Sequence, residues 1–416
     1  VKSVKYIWIS GRFLFVGLFV VAIAFSLGWK PAPTLSLFDV PQPGSFESNV
    51  SDDEADGIPQ DEEITAENLV KDWEKPDFAL FVTGRQHGYI EPCGCITLER
   101  QKGGLMRRHR VQKVMQERGW DLVSIDAGNQ VDRFGQQPVI KLGKTFEALS
   151  KEMKYDFVGL GPDDLKLPSI DIAQIMANIV GNNNPFTCAN IEVIDASLTN
   201  KFLVINRAGK RIGVTMVVGD EHLENLKNRD GLTVTSVKQG LQQVVPQLKA
   251  AKCDFHVLMA FTELDKCREL AKAFPTFDLL VTAGGAGDPT MEPEMVESPT
   301  HVTPMIQVGV KGMYVGLVGV YQANGQTKIK YKRVPLTHQF KDTDEMKKIF
   351  LSYQEKLKAL WLAGALNDIK PRNHPKGYTF VGSDACADCH GEEYDIWLDG
   401  VDGDGGPHPE ATDSLK

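Results

Sequence analysis

The chain has 416 residues and carries 46 Lys and Arg against 55 Asp and Glu, a formal net charge of -9. That acidic balance, with no basic patch interleaved with aromatics, argues against a nucleic-acid partner. Seven cysteines are too few to staple a chain of this length, which on length alone should hold two or three domains.

At the N-terminus, Lys2, Lys5 and Arg12 precede an almost wholly apolar run from Phe13 to Leu27, extended by aromatics from Tyr6 to Trp29. A basic stretch followed by an apolar core is an export signal. No convincing small-x-small cleavage site comes after it, so 1–29 is read as an uncleaved, single-pass anchor, with a cleaved signal peptide left open. The basic flank puts the body of the chain on the side away from the cytoplasm. Residues 30–76 are rich in Pro, Ser, Asp and Glu, with acidic clusters at Asp52-Asp53-Glu54 and Asp61-Glu62-Glu63. Such a segment buries too little apolar surface to order itself and reads as a disordered linker. A short helix over Ala66 to Trp73 is expected to dock on the next domain.

From Phe78 short apolar runs alternate with amphipathic ones. Strands are predicted at Phe78 to Thr83, Leu122 to Asp126, Phe157 to Leu160, Phe255 to Met259 and Leu279 to Thr282. Helices are predicted at Gly104 to Arg118, Phe146 to Met153 (the end of one), Ile170 to Val180, Val237 to Ala251 and Leu264 to Ala273. Leu203 to Ile205 and Ile212 to Val218 form a hairpin around Gly209. The runs Met305 to Val310, Tyr314 to Tyr321 and Lys328 to Val334 read as sequential antiparallel strands. Asn324-Gly325 turns between the last two, since that pair accepts positive φ. Asp344 to Leu366 has helical spacing and should bridge to the C-terminal segment. Strands alternating with helices predict a layered α/β fold over 77–336, followed by a connecting helix over 340–370.

Near the C-terminus stands Cys386-Ala387-Asp388-Cys389-His390. C-x-x-C-H is the attachment pattern of c-type haem. Two thiols three positions apart reach the two vinyl groups of one macrocycle, and His390 can ligate the iron. A zinc half-site would need two more ligands, with only His390 and His408 near. A thioredoxin-like motif would open a helix in a βαβ unit, which the pattern lacks. Residues 378–416 are therefore expected to be a small α-helical haem c segment, Cys386 and Cys389 carrying the group and His390 its proximal ligand. Haem attachment is extracytoplasmic in bacteria, which agrees with the N-terminal signal. The expected location is the bacterial cell membrane with the body in the periplasm. Asp388, Glu392, Glu393 and Asp395 would favour a basic redox partner, or simply form a solvated helix face.

The stretches FVTGRQHGYIEPCGC, VSIDAGN, VGLGPDDL, TCANIEV, HVLMAFTELDKCRELAKAFPTFDLLVTAGG and KGMYVGLVGVY resemble the 5′-nucleotidase-like branch of the metallophosphatase superfamily, from about Phe78 to Pro335. The resemblance implies a layered α/β sandwich with two metal ions at the strand ends, activating water against a phosphate ester. Carried over residue by residue, most of those ligands are gone. The family's Asp-x-His reads Arg85-Gln86-His87, and its bridging Asp falls on Asn129. Its Gly-Asn-His-Asp/Glu becomes Gly161-Pro162-Asp163-Asp164, its next histidine is Phe261, and its Gly-His-x-His is Ala283-Gly284-Gly285-Ala286. Arg85, His87, Asn129 and Asp163 are left as a residual pocket without a divalent-metal centre. Arg85 and the loop Gly284 to Gly287 could instead hold an anion.

Pro92-Cys93-Gly94-Cys95 with Gly103-Gly104-Leu105-Met106-Arg107-Arg108 resembles a subset of such domains in secreted bacterial proteins. Cys93 and Cys95 are candidates for a redox or soft-metal role, for a disulfide to Cys188 or Cys267, or are inert thiols. Arg107 and Arg108 read as surface charges. Gly382 to Trp397 resembles the first haem repeat of the tetrahaem cytochromes of ammonia oxidisers. That resemblance implies a distal ligand for which His408 is the nearest match. The expected function is a membrane-anchored c-type cytochrome in electron transfer whose phosphatase-like domain serves as scaffold or binding module. The alternative is a metal-dependent nucleotide or phosphodiester hydrolase with an atypical site, and a third reading is a thiol-based redox or metal-binding protein.

Overall fold

The computed structural model describes residues 64–92, 97–132, 136–180, 183–362 and 391. The apolar run Phe13 to Leu27, Cys93 and Cys95, the Cys386–Cys389–His390 motif and His408 lie outside the described residues. Among the described residues no helix is long and apolar enough to cross a membrane.

Two six-stranded sheets make the core. The first contains β1 (Phe78–Thr83), β2 (Leu122–Asp126), β3 (Phe157–Gly159), β4 (Phe186–Thr187), β13 (Tyr314–Ala323) and β14 (Gln326–Pro335), in the order β14-β13-β1-β2-β3-β4. β1 to β4 run parallel, and β13 joins β1 antiparallel. The second contains β6 (Leu203–Arg207), β7 (Lys210–Val218), β9 (Phe255–Phe261), β10 (Leu279–Thr282), β11 (Glu294–Glu297) and β12 (Val302–Gln307), in the order β11-β12-β10-β9-β7-β6. Its central four, β7, β9, β10 and β12, are parallel, and both edge strands are antiparallel. A small pair, β5 (Ile191–Val193) with β8 (Leu232–Val234), stands apart.

The strands read as continuous apolar runs because both faces are covered. β1 is buried at every position. Between the sheets Phe78 meets Phe255 edge-on, with centroids 5.7 Å apart. A side chain on Gly159 would collide with the Met216 sulfur, so the sheets approach closely there. α1 (Leu105–Glu117), α2 (Gln136–Glu147), α3 (Ser169–Ile179) and α7 (Asp344–Leu362) pack together as one helical layer. α7 packs on α1 and α2, so it belongs to this layer rather than serving only as a bridge. After β7 comes the single turn α4 (Asp220–Leu223). The second sheet is covered by α5 (Val237–Ala250) and α6 (Leu264–Ala273). α5 starts on a capping box, Ser236 Oγ accepting from Gln239 N while Gln239 Oε1 accepts from Ser236 N.

Two expectations change. Met305 to Val310 is not sequential with β13; β12 lies in the second sheet, parallel to β10. Ala66 to Trp73 is a run of turns, not a helix, although Leu69 and Val70 are buried and Trp73 stacks on Trp120 at 6.0 Å. Cys188 and Cys267 are buried free thiols, and the partners considered for them, Cys93 and Cys95, lie outside the described residues. The Cys188 and Cys267 sulfurs lie within hydrogen-bond reach of Asn190 Oδ1 and Thr282 Oγ1, and burial pushes the Cys267 thiol up to about 12.

Candidate functional site

Parallel strands end together, and loops leaving their C-terminal ends converge. Here the loops after β1, β2, β3, β7, β9 and β10 share one edge. Thr83 and Asp126 close β1 and β2 side by side. The next residues, Arg85, His87 and Asn129, all adopt positive φ, at 49°, 52° and 58°. Such φ is rare for residues with a Cβ and occurs where the surroundings over-determine the backbone. Arg85 N donates to Gly128 O (2.7 Å), His87 N to Asn129 O (3.1 Å) and Gly312 N to Arg85 O (3.0 Å). These bonds splice the first two loops to each other and to the turn before β13.

Beneath them lies a buried ion pair. Arg108, from α1, places Nη1 3.2 Å from Asp126 Oδ2, both side chains being 0% exposed. Arg108 also donates to Gln86 Oε1. Asp126 accepts from Thr83 Oγ1 (2.6 Å), Gly128 N (2.8 Å) and Gln130 Nε2 (2.6 Å). Arg107 is buried as well and donates to Gln101 O and Leu336 O. Neither arginine is the surface charge its place on an amphipathic helix implied.

The third loop is tied as tightly. Asp164 accepts from Asn129 N (2.7 Å), Val131 N (3.1 Å) and Gly161 N (3.1 Å). Burial pushes its carboxyl up to about 7, against those donors. Asn129 and Asp163 bond reciprocally: Nδ2 donates to Asp163 Oδ2 (2.6 Å), and Asp163 N donates to Asn129 Oδ1 (2.9 Å). Lys166 Nζ donates to the other carboxylate oxygen at 2.7 Å. Arg85 crosses to the second sheet, its Nη1 donating to Gly285 O at 2.9 Å, while its Nε is buried without a partner. The His87 ring is held below its ordinary value by burial and by the adjoining Arg85. It lines a small cavity of about 180 Å³ with Tyr89, Asp132 and Lys141.

The structure thus brings Arg85, His87, Asn129 and Asp163 to one edge. It adds two residues that no sequence motif marks. Glu221 and His222 follow β7 directly, and His222 lies edge-on to Phe261 with centroids 5.4 Å apart. Chemistry-bearing residues just past the carboxyl end of a buried parallel strand were the available signal.

These residues do not fit a pair of divalent ions, which needs several anionic or imidazole donors with lone pairs to spare. Arg85 puts a guanidinium where a carboxylate would be needed. The Asn129 amide is bonded at both ends to Asp163, and the second Asp163 oxygen is on Lys166. Among the described residues no three His, Cys, Asp or Glu side chains converge on a possible ion position.

No protein-family model and no curated protein matches the chain. Solved structures do. A 5′-nucleotidase precursor from Thermus thermophilus is 19% identical with a TM-score of 0.56, over 68% of this chain and 59% of that one. SoxB, a sulfate thiohydrolase of Thermus thermophilus, is 11% identical with a TM-score of 0.56, over 69% and 62%. NAD nucleotidase from Haemophilus influenzae is 14% identical with a TM-score of 0.50, over 78% and 61%. The chain spans about three fifths of the length of each. These neighbours overturn electron transfer by a c-type cytochrome as the chain's main function, because the proteins that share its architecture are named as nucleotidases and a thiohydrolase. They side with the hydrolase alternative. The described part of the chain has a mixed, layered α/β fold that resembles those of these 5′-nucleotidase-like structures.

Proposed function

We propose that the chain hydrolyses a phosphate ester of the nucleotide class, at the edge formed by the loops after β1, β2, β3, β7 and β10. The reading is carried by the fold match over 68% of the chain, whose named activity is a nucleotidase. The site supports it with a donor set of its own. Arg85 is fixed by Gly285 and offers a charge-assisted contact to a phosphoryl oxygen. His87, kept neutral by burial and by Arg85, can donate a second hydrogen bond. Asp163 is held by Asn129 and Lys166, and its charge favours the guanidinium form of Arg85 against burial. Water then attacks phosphorus as the ester P–O bond breaks, giving an alcohol and inorganic phosphate.

The test is phosphate release from 5′-AMP, 5′-UMP and an aryl phosphate, measured with added Mg²⁺ or Mn²⁺ and again with a chelator. Turnover above background is expected. Arg85→Ala should lower kcat/KM by about 10²-fold, the usual loss of one charge-stabilising donor, and His87→Ala and Asp163→Ala should also lower it. A wild-type chain that turns over none of the three esters, or variants that all match it, would overturn the reading. Loss of turnover in the chelator would place an ion in the reaction that the described donors do not provide for.

A further inference from the structure

The hydrolysis proposed above needs an acceptor for the proton of the attacking water, and neither Arg85 nor the tied-down Asp163 supplies one. We propose that Glu221 and His222 form that acceptor, His222 taking the proton and Glu221 orienting it, in place of the ions this fold would otherwise use. The inference rests on the hydrolase reading.

Glu221 is locked. Its Oε1 accepts from Thr262 Oγ1 (2.7 Å) and from Glu263 N (3.1 Å). The carboxylate also lies over Gly219, where any side chain would collide with it. His222 Nε2 stands 3.6 Å from the same oxygen, beyond a full hydrogen bond but within ion-pair range. Pairs of this kind tighten when substrate binds. With Nε2 turned to Glu221, Nδ1 is the nitrogen left to accept a proton. The ring is braced on Phe261, and 34% of the side chain remains exposed.

The pair sits on the same edge of the fold as the residues proposed to hold the phosphoryl group. Thr262, which bonds Glu221, backs directly on Gly284, whose missing side chain allows the contact. The next residue, Gly285, receives the Arg85 guanidinium. Asp163 acts electrostatically on His222 and on His87 alike. The charged groups facing His222 are Glu221 from its own turn, Asp163 and Lys166 from the loop after β3, and Glu263 at the start of α6. Burial leaves the imidazole neutral at rest; Glu221, Asp163 and Glu263 oppose that shift and Lys166 adds to it. A resting base must be neutral, and a carboxylate behind it stabilises the imidazolium as it forms. In the step, a water O–H bond breaks with its proton passing to His222 Nδ1. The oxygen bonds phosphorus, the ester P–O bond breaks toward the alcohol, and the proton is returned to the leaving oxygen or to solvent.

The experiment measures kcat and KM against pH for wild type, His222→Gln, Glu221→Gln and Glu221→Asp, with the ring titration of His222 followed by NMR in wild type and Glu221→Gln. Loss of the base should cut kcat by about 10²-fold or more with little change in KM. In Glu221→Gln the acidic limb of kcat and the ring titration should both move to lower pH, since an anion that favours the imidazolium is gone; Glu221→Asp should restore part of the rate. A purely structural role would let the ring titration move but leave the acidic limb of kcat in place. Active wild type with an unchanged rate and profile in His222→Gln overturns this assignment and leaves the hydrolase reading standing. Should His222→Gln fail to fold, an unmoved ring titration in Glu221→Gln overturns it instead. An inactive wild-type chain overturns both.

Discussion

Arg108 and Asp126 hold the edge from below, and separating them should be among the most costly single changes in the chain. Asp126 accepts from four donors: Thr83 Oγ1, Gly128 N, Gln130 Nε2 and Arg108 Nη1. Arg108 has fewer partners, with Gln86, Thr83 and Asp126 for its terminal nitrogens and none for a buried Nε. Breaking a buried ion pair by removing one member costs about 3–5 kcal/mol, because the other charge is stranded away from water. Arg108→Met leaves a carboxylate still bonded to three donors and belongs at about 3 kcal/mol. Asp126→Leu strands a guanidinium that cannot deprotonate and orphans Gly128 N and Gln130 Nε2, so it belongs at about 5 kcal/mol. The double variant strands no charge. Its cost should fall short of the sum of the singles by about 3 kcal/mol, as expected for directly coupled neighbours. Denaturant unfolding of the four proteins, followed by tryptophan fluorescence, gives all three differences. Single variants costing less than about 1 kcal/mol each, or a double that simply adds, would refute the claim that this pair is buried and coupled.

Asn129→Asp would set two carboxylates in contact where Nδ2 now donates to Asp163 at 2.6 Å. It should destabilise the chain at neutral pH by about 1–3 kcal/mol and recover on acidification; a neutral effect at pH 7 would contradict the reciprocal bond. Gly161→Ala drives a methyl into the Asn129 backbone, and should cost about 1–3 kcal/mol as an overpacked contact that cannot yield; an unfolding midpoint equal to wild type would show that the two loops do not touch. Burial, then Asp342, raise the Glu91 carboxyl from 4.5 to about 7, with Arg107 opposing. Because the folded value lies above the unfolded one, the stability it contributes is present below about 4.5 and is lost as pH rises toward about 7. Glu91→Gln should flatten the fall in Tm across that window, and an identical pH profile would refute the assignment.

The alternation of apolar runs made most of the parallel strands and their helices readable, since buried strands and amphipathic helices differ in period. Period says nothing about which sheet receives a strand. Met305 to Gln307 is as apolar as β13, and only its packing beside β10 separates it from the hairpin of β13 and β14. Arg108 was misread for a related reason. Charge on a helix normally faces water, and the partner that reverses this, Asp126, lies 18 positions away at a strand end. Arg85, His87, Asn129 and Asp163 were legible because they occupy positions of a known motif. Glu221 and His222 occupy none, and their meaning comes from Thr262, Phe261 and Gly219, which only the fold brings to them.

The edge is held together by protein atoms. In a two-ion centre the loops are drawn together by the ions they share. Here protein atoms do that work: Arg85 reaches Gly285, Asn129 and Asp163 bond each other, and Asp164 gathers three backbone N–H groups. Positive charge at the edge sits on the covalently fixed Arg85 guanidinium, with Lys166 on Asp163. Under the proposed function that guanidinium is the group that attracts the phosphoryl oxygens. Under the proposed hydrolysis, proton removal would pass to a side chain. Of the imidazoles at the edge, His87 stands against Arg85, which disfavours any added charge on it, whereas His222 stands against Glu221, which favours one. The two histidines are therefore suited to opposite tasks, His87 to holding the ester and His222 to receiving the proton.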